Sequence, residues 1–157
     1  MPIILARIDD RLVHGQVVEG WGNILKPDNI LVVSNEMASS KWHSDLCLAS
    51  LPANFNGIVS SVEDAPHIIN KLNDDSHDSY VLFESPGDVY KVVKNGARLT
   101  EINVGGMHSS KNKRELLEYI YIDDNDVMNL RALCDLGIKL DFRDLPGHEK
   151  LDVMSQL

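Results

Sequence analysis

Arg11, His14 and Gly15 stand close together in the segment Ala6-Arg7-Ile8-Asp9-Asp10-Arg11-Leu12-Val13-His14-Gly15-Gln16-Val17, with two carboxylates just upstream. A neutral imidazole keeps a lone pair on one ring nitrogen and is a good phosphoryl acceptor. A guanidinium in the same turn can meet two phosphoryl oxygens in one plane and stabilise the charge spread over them during transfer. The competing role for Arg11 is a salt bridge to Asp9 or Asp10. A carboxylate can also orient the arginine or the imidazole, and Asp9 is the preferred candidate for that work. His14 itself could be a plain surface or capping residue, the commoner fate of a histidine at such an edge.

These residues need a scaffold that brings them to a helix start. Ile3-Ile4-Leu5 is an apolar run of buried-strand type. After the polar turn, Val17, Val18, Trp21, Ile24 and Leu25 follow helical spacing, and Pro27 must end that helix. His14, Gly15 and Gln16 then fall at a strand-to-helix junction, where unpaired N–H groups and the helix dipole favour an anion.

The same alternation continues along the chain. Strands are expected at Asn29–Ser34, Gly57–Val62, Tyr80–Phe83, Ile102–Val104, Tyr119–Ile122 and Lys139–Arg143. Helices are expected from Asn35 to Leu51, from Glu63 to Leu72, after Ser85-Pro86, after Asp123, and weakly from Glu149 to Gln156, while the charged stretch from Lys111 to Glu115 has no clear assignment. The pattern implies an α/β fold: an open, mostly parallel sheet of about seven strands with helices on both faces. Ligands bind beyond the carboxyl ends of such strands. His14, Ser34, Glu84-Ser85 and Gly105-Gly106-Met107 should therefore face one crevice. Ser34 could donate to a phosphate there, or simply cap a helix, which is the better expectation. Gly105 and Gly106 could form an N–H nest for an anion or a tight turn. Arg143 is a further candidate cation, and with Arg7 and Arg11 it would make a positive island on an acidic body.

The segment from Arg7 to Val17 resembles the active-site loop of the enzyme IIB components of the bacterial phosphotransferase system, mannose/fructose/sorbose family. Leu31-Val-Val-Ser34, Asn103-Val-Gly-Gly-Met107 and Leu136-Gly-Ile138 extend the likeness over almost the whole chain, residues 1–157, as a single IIB domain. Asn35-Glu36 stands where the family suggests an acidic pair, and Ser109-Ser110-Lys111-Asn112 is an unusual sequel to the glycines. The resemblance implies a cytoplasmic phosphocarrier, peripheral to the membrane through its permease. It would accept a phosphoryl group on His14 from a phosphohistidine of an enzyme IIA partner and pass it to a sugar held by the IIC and IID permease subunits. It also implies that the acceptor is Nδ1, which the residues alone leave open, and that no cofactor is needed.

The chain has 157 residues, enough for one domain with a real core, and a net charge of −9. That charge argues against nucleic acid and against direct docking on anionic lipid. No apolar run reaches the roughly 20 residues of a membrane span, and the chain opens directly on a strand with no visible signal peptide. Cys47 and Cys134 form no metal or redox motif, which suits a reducing compartment. His43, His67, His77, His108 and His148 show no zinc pattern, and Asp123-Asp124-Asn125-Asp126 reads as helix capping rather than a calcium loop. Two other functions compete: a non-enzymatic α/β module that senses phosphate or another anion, which the fold permits, and a hydrolase, which the absence of a nucleophile elbow disfavours.

Overall fold

A computed structural model of the chain describes residues 2–14, 20–149 and 157. Eight strands are present among them: β1 Ile3–Asp9, β2 Asn29–Val33, β3 Asn56–Ser60, β4 Ser79–Phe83, β5 Glu101–Gly106, β6 Arg114–Leu117, β7 Ile120–Ile122 and β8 Lys139–Phe142. The helices are α1 Gly22–Leu25, α2 Asn35–Ala38, α3 Lys41–Ala49, α4 Ala65–Asn73, α5 Pro86–Lys94 and α6 Asp124–Asp135. The main sheet is parallel with six strands in the order β3-β2-β4-β1-β5-β8. The α/β architecture is the expected one, but the strand at 119–122 is not part of that sheet. Its core, β7, pairs antiparallel with β6, giving the unassigned stretch near Lys111–Glu115 a role in a separate hairpin.

Alternation along the central strands sends side chains to two layers. Ala6, Ile8, Leu31, Val33, Val81, Phe83, Ile102 and Val104 face one core, closed by Ile69 of α4, Val89 and Val92 of α5, and Leu130 and Leu133 of α6. Ile30, Val32, Tyr80 and Leu82 face the other, with Leu12, Trp21 and Cys47 of α3. Helices therefore cover both faces, as the buried parallel sheet requires.

Local signals set the helix ends. Ser85 accepts from the Asp88 N–H with Pro86 as the first helical residue, and Asp123 with Asp126 forms a reciprocal capping box. The single helix expected over 35–51 is two helices. Ser34 caps α2 and Ser40 caps α3, accepting from the Met37 and His43 N–H groups respectively. Lys26, with φ of 48°, ends α1 just before Pro27. The start of the helix after His14 and the C-terminal helix expected at 149–156 lie outside the described residues, apart from Glu149.

Candidate functional site

The carboxyl ends of the parallel strands lie along one edge, with Ile8 and Val33 both in register with Phe83, and Asp9 in register with Gly106. The site grows from β1. Arg7 and Asp9 share one face of that strand and are completely buried. Arg7 donates from Nη1 to Asn103 Oδ1 at 2.7 Å and to the Asp144 carbonyl at 2.9 Å, and from Nη2 to Asp9 Oδ2 at 2.9 Å. Asn103 continues the polar stripe, donating to the carbonyls of Asp141 and Arg143 at 3.1 and 2.9 Å.

Beyond Asp9 the chain turns sharply. The Leu12 N–H donates to the Asp9 carbonyl at 2.9 Å, and the Arg11 N–H to Asp9 Oδ1 at 3.1 Å. Leu12 takes the left-handed region, with φ of 57°. That costs a leucine about 1–2 kcal/mol, which burying its side chain offsets by roughly 1.5–3 kcal/mol. The turn brings Arg11 Nε and Nη2 to 3.3 and 3.4 Å from the Asp9 oxygens, and His14 Nε2 to 2.7 Å from Asp9 Oδ2. Burial alone would raise the Asp9 pKa, but the hydrogen bond from His14 and the charge of Arg7 are the chief effects that outweigh it and hold the carboxyl below its usual range. An ionised carboxylate only accepts, so the proton in this contact belongs to His14 Nε2. A neutral ring fixed in that tautomer carries its lone pair on Nδ1.

Residues 3–157 match the family model of the PTS system sorbose subfamily IIB component. The chain belongs to that family. It is 31% identical to the PTS system fructose-specific EIIB component of Bacillus subtilis, covering 100% of this chain and 96% of the relative. It is 33% identical to the PTS system mannose-specific EIIAB component of Escherichia coli, covering 98% of this chain and 48% of that longer protein. The crystal structure of the IIBSor domain of the sorbose permease of Klebsiella pneumoniae superposes with a TM-score of 0.89 at 29% identity, covering 99% of this chain and 96% of that one.

Within this IIB fold Asp9, Arg11 and His14 come together as one hydrogen-bonded group. Gly15 and Gln16 lie outside the described residues. Ser34 is held as a helix cap, its hydroxyl donating to Glu84 while it accepts from Met37. Glu84 is pushed up by burial, with Asp88, Glu36 and Asp10 adding to the shift and the Ser34 hydrogen bond opposing it. Gly105 and Gly106 are buried strand residues, not a turn or nest, and neither has positive φ. Their missing side chains make room for others: a Cβ on Gly105 would stand 2.0 Å from Arg7 Nη1, and one on Gly106 2.8 Å from Asp9 Oδ2.

The positive island is corrected too. Arg7 is internal, and Arg143 bonds Asp141 Oδ2 at 2.8 Å and the Pro146 carbonyl at 3.0 Å while lying over the Trp21 ring. Arg11, with a side chain 40% exposed against 19% for Arg143, is the most exposed of that trio and shares Asp9 with His14. Sequence reasoning named Asn103 only as part of the Asn103–Met107 motif and gave it no role, and it missed Asp141, although each is a polar residue flanked by apolar ones within a strand. A pocket of about 210 Å³ opens beside the loop, lined by Arg11, Leu12, Val13, Met37, His43 and Leu46 among others. Among the described residues no helix is long and apolar enough to cross a membrane.

Proposed function

We propose that this IIB component is a phosphocarrier whose acceptor is Nδ1 of His14. The observation that carries the reading is the 2.7 Å bond from His14 Nε2 to the buried Asp9 carboxylate. It holds the ring in one tautomer and stabilises the imidazolium-like charge that forms when Nδ1 takes a phosphoryl group. The Nδ1 lone pair attacks phosphorus as the P–N bond of a donor phosphohistidine breaks, and the donor imidazole leaves with its electron pair. Exchange between two imidazoles is nearly balanced, so positioning matters more than driving force. Arg11 meets the equatorial oxygens. The second transfer delivers the group to a sugar hydroxyl.

The donor in this reading is an enzyme IIA protein, and the sugar is held by a IIC and IID permease. The mannose-specific EIIAB relative, which this chain matches over about half its length, supports a close pairing of A and B functions. The protein would then work in the cytoplasm, at the membrane through its permease. The scheme needs no cofactor or metal. Incubation with phosphoenolpyruvate, the upstream phosphocarriers and IIA should add one phosphoryl group, found on His14 by mass spectrometry of peptides kept at alkaline pH. Label on another histidine would overturn the assignment. Reversible phosphate binding without any label would favour an anion sensor.

Arg11 supplies a second expectation. Arg11→Lys should slow single-turnover transfer by about ten- to a thousand-fold, the range for loss of one transition-state donor. A compact ammonium cannot span two oxygens in a plane. A lysine variant running at the parent rate would leave Arg11 with only its Asp9 contacts to explain it.

A further inference from the structure

Asp9 and Asp10 are adjacent, and each carries a histidine. Asp9 holds His14. The Asp10 carboxylate accepts from the His108 backbone N–H at 2.7 Å and from the His108 ring Nδ1. The Asp10 N–H donates to the Gly106 carbonyl at 3.0 Å. The exit of β1 is thus tied to the exit of β5 by hydrogen bonds on both sides of Asp10. The β5 end is itself anchored: Met107 is buried, donates to the Tyr119 carbonyl at 3.0 Å, and accepts from the Tyr121 N–H at 2.8 Å. A path of rigid contacts therefore runs from the β6–β7 hairpin through Met107 and His108 to the turn that bears Arg11.

That turn needs support. Leu12 sits in a conformation a leucine avoids, and such a turn persists only where its surroundings over-determine it. Arg11 contacts Asp9 at 3.3 and 3.4 Å, and the backbone of the turn sets where its long side chain starts. Asp9 fixes that backbone from one side. Asp10 fixes it from the other: backbone bonds hold one Asp10 oxygen and its N–H, and the His108 ring holds the second oxygen and so the carboxylate's orientation.

We propose that His108, bound to Asp10, is a positioning residue for phosphoryl transfer: it holds the turn that presents Arg11 to the phosphoryl group. The inference rests on the phosphocarrier reading above. The His108 side chain is 54% exposed and adds little to the core, so its removal should leave the fold in place. The conservative replacement is asparagine, whose side-chain nitrogen stands where Nδ1 stands and keeps the bond to Asp10.

The test is rapid-quench transfer from phosphorylated IIA over a range of donor concentrations, for the parent, His108→Ala and His108→Asn, with thermal melts of each. His108→Ala should lower the maximal rate by about ten- to a hundred-fold, the scale of a small misplacement at a transfer site, with the half-saturating donor concentration and the melting temperature unchanged. His108→Asn should restore most of the rate. The inference is overturned if His108→Ala runs at the parent rate, if asparagine fails to rescue, or if the loss appears only in the half-saturating concentration. A parent chain that takes no label overturns the phosphocarrier reading and this inference with it. A labelled parent beside an equally fast His108→Ala overturns the inference alone.

Discussion

Replacing Asp9 by asparagine should cost both folding stability and transfer. Asp9 is fully buried, and its two oxygens accept from Arg7, His14 and Arg11. The amide has the same shape but no charge and a single acceptor oxygen, and its NH2 points donors at donors. Arg7 is left in the interior without its carboxylate. Breaking one half of a buried pair in this way costs about 3–5 kcal/mol, far more than the pair itself contributes over a well-packed apolar substitute. Urea unfolding should therefore shift its midpoint downward at unchanged slope. At urea-free concentrations where the variant is still folded, transfer should be slowed strongly, because neither the His14 tautomer nor Arg11 is held. An unfolding midpoint equal to the parent's would show that the interior tolerates an unpaired Arg7.

The same carboxylate sets a pH dependence. Folding lowers the Asp9 pKa, so the folded state binds that proton less readily than the unfolded chain. The stability it contributes is complete above the ordinary carboxylate range, near pH 4 (about 3.9 for a free aspartate), and drains away as pH falls below it. In the asparagine variant this part of the acid unfolding should be missing.

Much of this architecture was legible in the sequence, because buried parallel strands announce themselves as apolar runs. Leu31-Val-Val and Tyr80-Val-Leu-Phe83 are entirely buried, and the chain gives them no other use. Caps were readable where side-chain chemistry is local, as at Ser85 and Asp123. The break between α2 and α3 was not. Apolar residues continue at helical spacing across Ser39-Ser40, and only the backbone reveals that Ser40 caps a new helix. Tyr119–Ile122 was recognisable as extended, but periodicity carries no information about a partner, so its place in a hairpin outside the main sheet was hidden.

The site divides along the same line. Asp9, Arg11 and His14 lie within six residues and could be grouped by spacing alone. The sequence groups Arg7 and Arg143 with Arg11 as a positive island at the crevice, but spacing does not show which arginines are turned inward. Their interior partners, Asn103, Asp141 and the carbonyls after β8, are about a hundred residues away or more in sequence from Arg7 and meet it only through the β1-β5-β8 order, whose registers set Arg7 against Asn103 and Asn103 against Asp141. The period-2 rule held the clue: a polar residue at an inward position of an apolar strand asks for a buried partner.

Gly105→Ala should be strongly damaging, because the added Cβ meets the closest atoms of any glycine compared among the described residues. Ordinarily a new Cβ against the end of an arginine is harmless, since a long side chain swings aside. Here the Cβ would fall 2.0 Å from Arg7 Nη1, 2.1 Å from Cζ and 2.6 Å from Nη2, inside all three atoms. The guanidinium has nowhere to go. It is fully buried, and its two terminal nitrogens are bound to Asn103, Asp144 and Asp9. The alternatives are to move β5 away from β1, breaking the ladder that aligns Asp9 with Gly106, or to expel Arg7 and leave Asp9 and Asn103 unsatisfied. Either loss exceeds the roughly 1–3 kcal/mol of ordinary overpacking and approaches the cost of breaking a buried ion pair. The expected result is a chain that folds poorly or only at low temperature. The discriminating companion is Gly96→Ala, whose Cβ meets nothing within 4 Å but whose φ of 103° is strained for alanine, and which should lose only about 1–2 kcal/mol. Urea or thermal unfolding of the two variants side by side separates collision from backbone strain. If Gly105→Ala is no worse than Gly96→Ala, Arg7 has an alternative buried position, and the rigid Arg7–Asp9 support beneath His14 is not as fixed as the hydrogen bonds imply.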